Sequence, residues 1–145
     1  VELEKWANHN GLFRQTPGLQ RAENIHKDYT KLWTKSEKPV ITQSTKEYVE
    51  HINTITDDPE KLYAHIYVRH LGDLSGGQMI AKKVPAKRYY DFGANGKEWK
   101  RIVKEIINDY LNAYEMNVVP EARLCFEYAT RLFGEMNDLG KTNQV

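Results

Sequence analysis

Cysteine occurs once in this chain and proline five times, no apolar run reaches the length of a membrane span, and neither sign of charge is in excess. A lone Cys125 leaves no disulfide to close within the chain, and its place in an apolar stripe at helical spacing marks a buried thiol rather than a nucleophile. Without some 20 consecutive apolar residues or a signal-peptide pattern, the default is a soluble, cytoplasmic protein with no membrane span. Twenty-one basic residues stand against 20 acidic ones, a net charge of +1, so there is no basic excess to hold nucleic acid. Period-2 stretches and internal repeats are missing as well. What remains, 40% hydrophobic and 28% charged residues over 145 positions, suits one domain of ordinary composition. The chain opens on Val1 without Met, already in a helix-like VELEKWA pattern, and reads as a fragment that begins inside an element.

Helical periodicity accounts for most of the rest. Val1 to His9 reads as the tail of a helix closed by Asn10 and Gly11. Thr16 and Pro17 open a second helix, with Leu19, Ala22, Ile25, Tyr29 and Leu32 at helical intervals. After a loop at 35–39, Ser44 and Glu47 form a capping box for a third, whose stripe is Tyr48, Ile52 and Ile55. AKRYYDFGANG, 86–96, reads as a packed loop. A helix from about Lys97 shows a broad face from Trp99 through Val103 and Ile107 to Tyr114. Pro120 opens the last helix, with Ala122, Cys125, Ala129, Leu132, Phe133, Met136 and Leu139 turned inward. The fold class is all-α, an irregular helical bundle.

One helix stands apart. Asp58 and Pro59 supply its N-cap and first residue, and Pro85 its stop. Gly72, Gly76 and Gly77 fall inside it, each costing about 1 kcal/mol against Ala. Such a cost is kept where something must approach the backbone closely. Steps of three and four residues put Arg69, Gly72, Asp73 and Gly76 on one side, so two bare backbone patches flank one carboxylate and lie beside one guanidinium. A flat ligand fits that surface; tight helix packing is the competing explanation. LSGGQ, 74–78, also resembles the ABC-transporter ATPase signature, but that motif works at a helix N-terminus and needs a P-loop, which this chain does not have.

Five histidines, His9, His26, His51, His65 and His70, yield no HExxH and no convergent set, which assigns each a surface or hydrogen-bonded structural role; His65 and His70 carry more weight because they share the glycine-bearing helix. Lys100 and Lys104, four apart beside Trp99, can clamp carboxylates from one face.

The string LYAHIYVRHLGDLSGGQ, followed in order by the YYDF, WKRIVK and EARLCFEYATRLF segments, resembles the middle and C-terminal portion of heme oxygenases, over almost the whole chain. The resemblance implies a single helical domain over 1–145, N-terminally incomplete, in which heme lies between a proximal helix and this distal helix. It implies oxidation of heme, both substrate and cofactor, to biliverdin, carbon monoxide and ferrous iron, with O2 and electrons from a donor such as ferredoxin or a reductase. Gly72 and Gly76, with Gly77 beside them, match the backbone against the heme face, and Asp73 the carboxylate that orders distal water. Arg69 and Tyr67 match the network around that water, Lys100 and Lys104 the basic positions that meet the propionates, and Phe126 an aromatic of the pocket wall. The family's proximal histidine lies on an upstream helix, and none of the five histidines matches it. His70 stands where an aromatic is common, and Ala129 where many members have Asn. A heme or bilin carrier on the same scaffold is the competing function, and Asp73 argues for the enzyme because storage needs no proton relay.

Overall fold

Every regular element of the computed structural model, which describes residues 1–83 and 91–143 with side chains except those of 78–81, 94 and 140–143, is helical. The order is α1 (Glu2–His9), α2 (Ala22–Leu32), α3 (Gln43–Ile52), α4 (Pro59–Ala81) and α5 (Gly96–Asn143), with short 3-10 turns at Pro17–Leu19 and Gly93–Asn95. No strand occurs among the described residues, as the missing period-2 pattern requires.

Local chemistry sets several boundaries where the sequence places them. Gly11 takes φ +70° after α1, a conformation that costs residues with a Cβ. The Asn10 side-chain amide donates to the Trp6 and Thr56 carbonyls at 2.8 and 2.7 Å, fastening that turn to the start of the distal helix. α4 begins at Pro59, while Pro85 lies outside the described residues.

Four expectations need correction. Pro17 opens only a 3-10 turn; α2 starts at Ala22, and its Ile25, Tyr29 and Leu32 are exposed. Thr42, not Ser44, caps α3: its hydroxyl accepts from the Thr45 N–H at 3.3 Å, while Glu47 pairs with Arg131. Pro120 does not open a helix. The break falls at Tyr114 (φ −138°, ψ 38°), and Pro120 sits within the continuing helix, where it lacks an N–H to donate but has only a short stretch of helix before it to disrupt. Past the break Cys125 is buried, whereas Phe133, Met136 and Leu139 face outward.

The core lies where α4 crosses α5, the most extensive contact in the fold. Leu62, Tyr63, Ala64, His65 and Ile66 are all buried, so the first turns of α4 are enclosed on every side. Val103, Ile107 and Val118 of α5 pack there with Leu71, Leu74 and Phe92. A Cβ on Gly18 would sit 1.7 Å from the Trp99 ring, so this glycine is what lets the turn before α2 lie against α5. No helix among the described residues is long and apolar enough to cross a membrane.

Candidate active site

The second half of α4 opens on one side. Gly72, Ser75 and Gly76 are exposed and Arg69 and Asp73 half-buried, while Leu71, Leu74 and Gly77 are buried. A Cβ added to Gly72 or Gly76 meets no described atom within 4 Å. The packing explanation would require a neighbouring helix against these two glycines, and none of the described residues supplies one. Gly77 is turned inward and does not share the open stripe, a departure from its expected place beside a ligand; at 100° per residue it faces away from Gly76.

Arg69 is held from a second helix. Its Nε–H donates to the Tyr48 hydroxyl at 3.3 Å, and its guanidinium lies 4.6 Å over the Tyr48 ring, a cation–π contact within productive range. Helical periodicity assigns Tyr48 a packing role alone. It also reaches His65 Nδ1 at 2.7 Å and lies 3.7 Å from Cys125 Sγ. A cavity of about 230 Å³ opens beside this group, lined by Tyr48, Arg69, His70, Tyr128 and Leu132 among others, but by neither open glycine.

The other expected residues are distributed along the same helix pair. Lys100 is half-buried and lines a cavity with Leu74, Ser75 and Phe92, beside the glycine end of α4. Lys104, one turn on, is exposed. Tyr67 and Phe126 are exposed as well, Phe126 at 61%, and Phe133 lies two turns along α5 on the same face as Phe126.

The histidines overturn the reading that none converge. His51 on α3 and His65 on α4 each place Nε2 on Glu121 Oε2 of α5, at 2.7 and 2.8 Å. A carboxylate can only accept, so both imidazoles donate. Burial alone would raise the Glu121 carboxyl, but these bonds outweigh it and hold it below the ordinary carboxylate range. Burial works against a charge on His65, yet Cys125 and Glu121 together raise it. Cys125 is pushed up by burial and, more strongly, down by His65 and Arg69. His70 turns elsewhere, donating from Nε2 to Glu4 at 2.9 Å.

Comparison with known proteins gives this geometry a context. The heme oxygenase family model matches residues 3–135. Heme oxygenase 2 of Macaca fascicularis is 32% identical over an alignment covering 86% of this chain and 45% of that protein. Heme oxygenase 2 of the cyanobacterium Synechocystis is 31% identical, over 86% of this chain and 58% of that protein. The chain thus spans about half the length of these curated relatives. The crystal structure of heme oxygenase-1 from Synechocystis in complex with heme superposes with a TM-score of 0.80 at 25% identity, covering 99% of this chain and 72% of that one. Heme oxygenase 2 from Chlamydomonas reinhardtii, solved without heme, shares the fold at a TM-score of 0.77. The chain, all-helical and matched over nearly its whole length, belongs to the heme oxygenase family.

Proposed function

We propose that this chain carries the distal side of a heme oxygenase site, and that the protein opens heme to biliverdin, carbon monoxide and ferrous iron. O2 is the oxidant, and electrons come from a redox partner such as ferredoxin or a reductase. The observation that carries the reading is the open backbone at Gly72 and Gly76. Two interior glycines cost about 2 kcal/mol of helix stability in sum, and no helix among the described residues packs against them to offset that. A flat porphyrin laid on this stripe would come within van der Waals reach of the backbone, which a side chain at either position would prevent.

Bound heme supplies the iron that activates O2 and, as substrate, the ring edge that is attacked. The chain's residues hold and direct. Asp73, one position from Gly72 and half-buried, orders a water by charge-assisted hydrogen bonding and so places a proton donor on the distal side. Arg69, pinned by Tyr48, presents its remaining N–H donors to the same water network. Lys100 and Lys104 meet the propionates as cations on one face of α5, and Phe126 supplies apolar wall. His51, His65 and His70 turn to carboxylates of neighbouring helices, Glu121 and Glu4, rather than to the open stripe, so the proximal iron ligand is assigned to none of these three.

The test is incubation of the full-length protein with heme, O2 and a reductant while the biliverdin absorbance is followed. Biliverdin formation is the expected result. A stable heme complex that never yields biliverdin would make the protein a carrier, and an unshifted Soret band would remove heme from the site.

A further inference from the structure

Three helices converge on one carboxylate oxygen. Glu121 Oε2 lies 2.7 Å from His51 Nε2 and 2.8 Å from His65 Nε2, and the three atoms are all within 4.8 Å of one another. We propose that this junction binds one divalent transition-metal ion of the zinc class, through His51 Nε2, His65 Nε2 and a Glu121 carboxylate oxygen, with solvent at the remaining position. The site is independent of the heme reading and lies on a different group of side chains.

Donor chemistry selects the ion. Two imidazoles and one carboxylate suit zinc, cobalt, nickel or copper, whereas magnesium and calcium take all-oxygen sets. Geometry permits it with small movement. Bonds of about 2.0–2.1 Å in a tetrahedral arrangement put ligand atoms about 3.3 Å apart, so the carboxylate draws back from each Nε2 by about half an ångström while the two Nε2 atoms, within 4.8 Å of each other, settle to that spacing by rotation of the partly exposed His51 side chain. Access comes from one side: the His51 and Glu121 side chains are 20% and 11% exposed, while that of His65 is sealed at 0%.

The surroundings of His65 carry the argument further. A metal-bound imidazole holds its orientation by donating its other ring N–H to an acceptor, and the Tyr48 hydroxyl stands 2.7 Å from His65 Nδ1. Metal binding requires both Nε2 atoms bare, so each imidazole keeps its proton on Nδ1 and any imidazolium proton leaves to solvent. The His65 to Tyr48 bond then runs from Nδ1–H to the hydroxyl oxygen. That oxygen also accepts from Arg69, and its two lone pairs serve both donors.

The experiment needs neither heme nor O2, so its outcome is separate from that of the oxygenase reading. The full chain, stripped with a chelator, is titrated with Zn2+ by calorimetry and with Co2+ by visible absorption. One ion per chain is expected, with the d–d bands of a four- or five-coordinate cobalt site. His51→Ala removes a partly exposed ligand and should weaken Zn2+ binding by at least about 100-fold, since even outer-shell partners of a metal site are worth 10- to 100-fold. Glu121→Gln should do the same. His26→Ala, an exposed histidine on α2, should change nothing. Circular dichroism checks that each variant folds, and His51→Ala decides if Glu121→Gln does not. No 1:1 binding at micromolar metal, or a loss below about 100-fold in His51→Ala, would overturn the site and leave the cluster a hydrogen-bonded junction.

Discussion

His70 of the distal helix donates to Glu4 of α1 at 2.9 Å across 66 positions of sequence, and both side chains are buried. Glu4 also accepts from the backbone N–H groups of Arg21 and Ala22, at 2.6 and 2.9 Å. One carboxylate thus ties α1, the start of α2 and the distal helix together.

The first prediction is acid sensitivity. Burial would raise the Glu4 carboxyl, but the hydrogen bonds from His70, Ala22 and Arg21 outweigh it and hold it below 4.5. A carboxyl depressed by folding contributes stability that is present above its unfolded value and is lost as pH falls through its folded value. Glu4→Gln keeps one accepting oxygen but turns its NH2 toward at least one of the three donors and removes the charge, and should cost on the order of 3 kcal/mol at neutral pH. Below pH 4.5 its stability should fall less steeply than the parent's. Chemical denaturation at several pH values reads both effects; parallel curves would remove Glu4 from the acid response.

The second concerns the open stripe. Gly72→Leu meets no described atom within 4 Å of its Cβ and replaces a poor helix former with a good one, so stability should rise by about 0.5–1 kcal/mol. Heme affinity and turnover should fall, because the side chain occupies the face that the ligand needs. Opposite movement of melting temperature and heme titration is the expected signature. Normal turnover would sink the close-approach argument.

The distal helix was legible because its signals are local: a proline start, glycines in the interior, and charged groups at steps of three and four. Periodicity also named the residues that share a face on α5, yet it could not tell a covered face from an open one, and Phe133 and Met136 proved exposed. The kink falls at Tyr114 rather than Pro120, because proline is tolerated close to a helix start and its mere presence does not fix where that start lies. The histidine junction left no trace in spacing. His51, His65 and Glu121 come from three helices, and only the crossing of α3, α4 and α5 brings them to one point. The choice between Thr42 and Ser44 as cap turned on one long-range contact: the Ser44 N–H donates to Glu135 at 3.1 Å.

The third prediction separates the two lysines. Lys100 lies half-buried against Leu74 and Ser75, whereas Lys104 is exposed. Changing both to Glu should weaken heme binding by about 1–3 kcal/mol, the range for charge-assisted bonds to carboxylates. Lys100→Glu alone should account for most of that, because Lys104 pairs in open solvent where screening is stronger. Heme titration at two salt concentrations reads the difference. An unchanged affinity in the double variant would take both lysines out of the site.

The last prediction tests the proton assignment at Asp73. A half-buried carboxylate beside Gly72 acts through the water it orders, not through contact with the porphyrin, so its loss should touch chemistry more than binding. Asp73→Ala in the full-length protein should keep heme affinity within about threefold, under 1 kcal/mol, and yield little or no biliverdin. Without an ordered proton source, reducing equivalents and O2 should be diverted to peroxidase-like oxidation of an added phenol, a readout that a merely structural acid would not move. Asp73→Asn, which keeps shape and hydrogen bonding but not the charge, should sit between the two. Biliverdin yields equal to the parent's in Asp73→Ala would place the proton relay elsewhere in the distal helix, with Arg69 and its Tyr48 anchor as the next groups to replace.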